Sequence, residues 1–145
     1  MALATFIALG VANAALEANP PEELLRVVLA RAAIETGRGR FCVSVNRSDP
    51  TNVLLRSVDP KGILLIPASE CEYVGPKRER RAVEKNSARP AQFLRIEVLR
   101  FTPKGRATVD VGYRAGSWLG YGYIYNVMFE SDQWHVTGFD SQWVE

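Results

Sequence analysis

Tyr121-Gly122-Tyr123-Ile124-Tyr125-Asn126-Val127-Met128-Phe129 reads with a period of two. In an extended chain Tyr121, Tyr123, Tyr125, Val127 and Phe129 share one face, and Gly122, Ile124, Asn126 and Met128 share the other. The same period runs outward in both directions. Upstream, Leu94, Ile96 and Val98 oppose Arg95, Glu97 and Arg100, while Val109, Val111 and Tyr113 alternate with Thr108, Asp110 and Arg114. Downstream, Gln133-Trp134-His135-Val136-Thr137-Gly138-Phe139 repeats the pattern and Trp143-Val144 closes it. Turn chemistry separates these runs at Thr102-Pro103-Lys104-Gly105, at Gly116 to Gly120 around Trp118, and at Glu130-Ser131-Asp132. Four hairpin-linked strands, each with an apolar face, form a meander that something must cover.

The cover is expected from the N-terminal side. Asn19-Pro20-Pro21-Glu22 combines a capping residue, a proline suited to a first helical turn and a capping-box carboxylate. Leu24, Leu25, Val28, Leu29 and Ala32 follow at helical spacing, with Arg26, Arg31 and Glu35 toward water and Gly37 as the stop. Phe41 to Val45 reads as a strand. Asp49-Pro50-Thr51 repeats the cap-and-proline signal and opens a short helix through Leu54, Leu55 and Val58, and Asp59-Pro60-Lys61-Gly62 makes a turn. Ile63 to Ile66 is apolar on both faces, which predicts a central or covered strand. The fold class is therefore α+β: N-terminal helices packed on a curved antiparallel sheet, forming one domain over 19–145.

Composition bounds the function classes. The chain has 145 residues, 47% hydrophobic and 23% charged with a net charge of +2, which describes one globular domain rather than a disordered chain. That charge is too small to mark a nucleic-acid partner. Lys77, Arg78, Arg80, Arg81, Lys85 and Arg89 crowd one polar stretch, 75–90, against only Glu79 and Glu84. With no interleaved aromatic ring for a base to stack on, the stretch reads as a mobile basic loop or as the contact to an acidic partner, and no nucleic acid is expected. His135 is the only histidine and there are two cysteines, a poor ligand set, so no metal and no cofactor are predicted.

Met1 to Ala18 contains no Lys or Arg. Its apolar run Leu3 to Val11 is too short to span a bilayer and is followed by Ala12-Asn13-Ala14, a small-x-small pattern of the kind a signal peptidase reads. Residues 1–18 are expected to be a signal peptide, an apolar helix packed on the domain or a membrane anchor, the first reading making the protein exported, periplasmic or secreted. Cys42 opens a strand-like run and Cys71 sits just past another. In an oxidising compartment such a pair closes into a disulfide; in a reducing one both remain core thiols.

The order helix, strand, short helix, strand and long meander, ending in Gly122-Tyr123-Ile124-Tyr125-Asn126-Val127-Met128-Phe129, a turn and Trp134-His135-Val136, resembles the nuclear-transport-factor-2-like (cystatin-like) superfamily. The resemblance spans residues 20 to 145 in element order and the last third in sequence. It implies a cone that encloses either a filled core or a ligand. Enzymes of the superfamily, isomerases and dehydratases of small hydrophobic molecules, hold an acidic base with a tyrosine or histidine partner inside the cone. The matching candidates are Asp110, Tyr123 and His135. Tyr121, Tyr123, Tyr125 and Trp118 would line a ligand surface.

Strand alternation bears on these candidates. Asp110 lies between Val109 and Val111, and His135 between Trp134 and Val136, so both point away from the face their neighbours bury. Two functions follow as expectations. One is a non-catalytic exported or envelope domain that binds a protein or small apolar ligand through its sheet, with a sheet-mediated homodimer compatible with it. The other is an isomerase or dehydratase that abstracts a proton beside a carbonyl, with Asp110 or His135 as base and Tyr123 as donor to the enolate. A third, an inhibitory or toxin-neutralising protein, would use the basic run from Lys77 to Arg89 against an acidic target. A tuned pocket separates catalysis from binding.

Overall fold

The computed structural model describes residues 20–144, apart from 37, 59–60 and 117–119. The expectations placed on Met1 to Ala18, Asn19, Gly37, Asp59-Pro60 and Trp118 lie outside the described residues. Helix α1 (Glu22–Thr36) opens directly after Pro20-Pro21, and the Pro21 carbonyl accepts from the Leu24 and Leu25 amides at 3.1 and 3.3 Å. Glu22 and Glu23 thus occupy the first turn, where a carboxylate complements the helix dipole. Leu24, Val28, Leu29 and Ala32 are fully buried, as their helical spacing predicts.

Eight strands follow: β1 (Gly39–Val45), β2 (Ile63–Pro67), β3 (Cys71–Val74), β4 (Arg81–Glu84), β5 (Gln92–Thr102), β6 (Arg106–Arg114), β7 (Gly120–Glu130) and β8 (Gln133–Val144). Helix α2 (Asn52–Ser57) lies between β1 and β2. Six strands form one curled sheet in the order β2-β1-β5-β6-β7-β8, and β3 with β4 forms a separate antiparallel hairpin. The predicted meander is β5 to β8, antiparallel throughout. Its β7–β8 turn places Ser131 and Asp132 at φ 52° and 61°, the double positive φ that suits a tight two-residue hairpin.

The sheet as a whole is mixed, which corrects the all-antiparallel expectation. Strand β1 runs parallel to both β2 and β5. Alternation reports which face a residue takes and is silent on strand direction. A crossover is needed for a parallel pair, and α2 supplies it between β1 and β2. Strand β2 is an edge strand rather than a central one: it pairs only with β1, and Leu64 is 47% exposed. Its other apolar residues are absorbed locally, Ile63 and Leu65 against the main core and Ile66 beside Cys42 and Cys71.

Two local readings also change. Thr51, not Asp49, caps α2: its hydroxyl accepts from the Leu54 amide at 3.1 Å. Asp49 instead accepts from the Ser69 amide at 3.0 Å and from the Ser69 hydroxyl, pinning the turn before β3. The stretch 75–90, read as a continuous polar connection, contains β4. Ala82 and Val83 are buried at its centre and the strand pairs in register with Val74 to Cys71, so two apolar residues amid the charge suffice for a short strand.

Alternation separates the two faces of the sheet. Phe41, Val43, Val45, Leu94, Ile96, Val109, Val111, Tyr125, Val127 and Trp134 meet the apolar stripe of α1 in one core. The opposite, outer face carries Cys42, Phe93, Arg95, Asp110 and His135. Cys42 and Cys71 form a disulfide with Cα atoms 6.2 Å apart, fastening the β3–β4 hairpin to β1. Among the described residues no helix is long and apolar enough to cross a membrane.

Candidate functional site

Strands β1 and β5 begin, β6 ends and β7 begins at one end of the sheet, since Phe41 pairs with Gln92, Phe93 with Arg114 and Arg114 with Gly120. On the helix-covered face at that end the period of β7 delivers Tyr121, Tyr123 and Tyr125, and β6 delivers Tyr113. The rings fill the space by contact with each other. Tyr113 and Tyr121 stack with centroids 4.8 Å apart, Tyr123 and Tyr125 stack at 6.1 Å, and Phe139 of β8 meets Tyr123 edge-on at 5.2 Å. Such offset and edge-to-face contacts are the favoured aromatic geometries.

The two inner hydroxyls are anchored to α1. Tyr113 donates to the Ala32 carbonyl at 3.0 Å, and Tyr125 donates to the Glu35 carboxylate, which also accepts from Arg31 at 3.0 Å. Burial pushes both hydroxyls far above the usual tyrosine range. For Tyr125 the hydrogen bond to Glu35 is the next cause, and for Tyr113 the neighbouring Tyr125. Tyr121 is raised more mildly, again first by burial. Each inner tyrosine therefore keeps its proton and directs it inward. The outer members differ: Tyr121 is 36% exposed and Phe139 57%, and Tyr123 is half-buried. Buried polar ends under exposed apolar rings make a rigid aromatic surface.

The acid/base candidates are not brought together. Asp110 pairs in register with Ile124, and Tyr123 with Val111, so Asp110 and Tyr123 stand on opposite faces of the sheet. Asp110 is bonded to Arg95 across β5–β6 at 2.9 Å, and Glu97 lies 3.7 Å from the same guanidinium. Arg95 also lines an outer-face cleft of about 420 Å³ with Ser44, Tyr73, Phe93 and Arg114. His135 is exposed on the outer face beside Met128. Ile124 and Met128 are four positions apart on β7, so roughly 13 Å of strand and two strand spacings separate His135 on β8 from Asp110 on β6.

Glu35 is the residue that reading the sequence missed. Its place on the wet side of α1 holds, for Glu35 is exposed, but its carboxylate also takes the Tyr125 hydroxyl, a role that spacing does not announce. Among the described residues no three His, Cys, Asp or Glu side chains gather in a way that would hold a metal ion. Comparison with family models, with curated proteins and with solved structures finds no match to this chain.

Proposed function

We propose that this protein is an exported binding domain, and that Tyr121, Tyr123 and Phe139 form its contact surface for a protein segment or small apolar ligand. The observation that carries the reading is the commitment of the inner tyrosine protons. A general acid or an enolate donor must aim its proton at the substrate. Tyr113 and Tyr125 aim theirs at Ala32 and Glu35, while exposed rings stand above them. Rigid, partly exposed aromatic residues are the side chains that dominate binding energy at interfaces. The disulfide and the absence of a membrane-crossing helix among the described residues fit an exported protein. The distant relationship implied by the closing Trp134-His135-Val136 motif is compatible with this reading, since that superfamily contains many non-catalytic members.

The isomerase-like alternative is tested directly by incubating a small hydrophobic ketone such as cyclohexanone with the protein in D2O and following α-proton exchange by NMR. The binding reading expects exchange at the buffer rate. Acceleration that disappears in Asp110→Asn, His135→Gln or Glu35→Gln would replace it with catalysis.

A further inference from the structure

We propose a second site, independent of the aromatic surface: a cleft at the same end of the sheet that binds a phosphate-bearing anion between Arg38, Arg40, Arg80 and Arg81. The cleft measures about 470 Å³, and all four arginines line it. They come from two distant segments. Arg38 and Arg40 flank Gly39 at the start of β1, where Gly39 takes φ 134° and its amide donates to the Gly62 carbonyl at 3.1 Å. Arg80 and Arg81 lead into β4. That strand docks on the end of β6 through the Ala82 amide and the Ala115 carbonyl at 2.9 Å. The approach depends on Gly116, because a Cβ there would lie 2.4 Å from the Arg80 carbonyl oxygen. The fold thus brings two arginine pairs together through a contact that only glycine permits.

The charge in this cleft is poorly offset from within. Arg38, Arg80 and Arg81 form no ion pair among the described residues. The carboxylate nearest to Arg40 is Glu84, at 3.9 Å, beyond hydrogen-bond reach. Arg40 Nε is buried and has no hydrogen-bond partner. Three further guanidiniums, those of the exposed Arg38, Arg80 and Arg81, line the same cleft, and this concentration of positive charge points to an anionic ligand. Guanidinium forks match carboxylate and phosphate alike. Phosphate is the better fit here: one carboxylate occupies one fork, whereas a phosphate or diphosphate offers several oxygens to several arginines at once. The ligand is either a free phosphate compound or the headgroup of an anionic phospholipid.

The test uses the full chain and inorganic pyrophosphate in isothermal titration calorimetry at fixed ionic strength. Saturable binding is expected, weakened at least tenfold in Arg38→Gln/Arg81→Gln. The control Lys85→Gln/Lys104→Gln, which removes the same charge outside the cleft, should change affinity less than twofold. Both arginines are exposed, and unchanged circular dichroism and thermal midpoint identify folded variants. Equal weakening in both double variants, or no saturable binding, overturns the site. A flotation arm then separates the sources. Capture on phosphatidylglycerol but not phosphatidylcholine vesicles, competed by pyrophosphate, supports a headgroup; pyrophosphate binding without vesicle capture supports a free phosphate. Polyglutamate binding that pyrophosphate fails to compete would assign the cleft to a carboxylate-bearing partner and overturn the phosphate proposal.

Discussion

On one side of the rim, Tyr113, Tyr121, Tyr123 and Phe139 come from consecutive strands of a meander, and α1 anchors the inner hydroxyls. On the other side, Arg38, Arg40, Arg80 and Arg81 come from the start of β1 and from a hairpin that belongs to a different sheet. On the tyrosine side the hydroxyls of Tyr113 and Tyr125 are satisfied by α1, and the partly exposed rings of Tyr121, Tyr123 and Phe139 lie at the surface. The arginine side is held by one disulfide, one glycine contact and a few backbone hydrogen bonds, and among the described residues only Arg40 of its four arginines has a carboxylate within 4 Å. The contrast suggests that stability and ligand affinity reside in different halves of one rim, so perturbations should separate them.

The largest separation is expected from the disulfide. Its 29-residue separation corresponds to roughly 3–4 kcal/mol on the chain-entropy model. Cys42→Ser/Cys71→Ser should lower the denaturant-derived stability by about that amount. Amide exchange should accelerate most in β3 and β4, with β6 to β8 following only the global change. Uniform acceleration would mean that the two sides are one cooperative unit.

Gly116→Ala should cost about 2 kcal/mol, because its Cβ must displace Arg80 backbone rather than a flexible side-chain tip. Gly138→Ala on β8 is the matched control: a Cβ there meets nothing within 4 Å, so its thermal midpoint should stay close to that of the parent. Similar losses for both would remove the glycine contact from the account.

The tyrosine side should respond to pH. Burial raises Tyr113 and Tyr125, so the folded chain keeps protons that the unfolded chain loses near the usual tyrosine value of about 10. Their contribution is complete below that pH and is lost as pH climbs toward the folded values. Urea midpoints measured from pH 8 to 11.5 should be flat at first and then fall. Tyr125→Phe should cost about 1 kcal/mol at pH 8 and make the alkaline fall shallower. An unchanged slope would show that Tyr125 is not the linked group. The smallest effect belongs to Phe139→Ser: with its ring 57% exposed, stability should shift by no more than about 0.5 kcal/mol in thermal unfolding.

How much of this was legible follows the same division. Strands β5 to β8 were readable because period-two alternation and turn chemistry are local, and each strand pairs with its sequence neighbour. The burial of Leu24, Val28, Leu29 and Ala32 was readable for the same reason at a different period. Partnerships that join distant segments were harder. Nothing local in Phe41 to Val45 announces a parallel pairing with both β2 and β5, and the polar residues around Arg81 gave no sign of a strand. The Cys42–Cys71 link was foreseeable because only two cysteines exist, so compartment alone decided whether they join. On the rim, the tyrosine stripe was visible from spacing. Glu35 was hidden because a helical carboxylate with an i−4 arginine is ordinarily a surface pair. The gathering of Arg38 and Arg40 with Arg80 and Arg81 depends on hairpin docking, which no window of sequence contains.

The central claim is that the aromatic rim binds and the outer-face acids do not. It is tested most directly by titrating indole, a small aromatic probe, into 15N-labelled protein and mapping amide shifts. The account predicts saturable shifts concentrated around Tyr121, Tyr123 and Phe139, reduced in Phe139→Ser. Shifts concentrated instead around Asp110 and His135 on the outer face, with the rim unmoved, would contradict it.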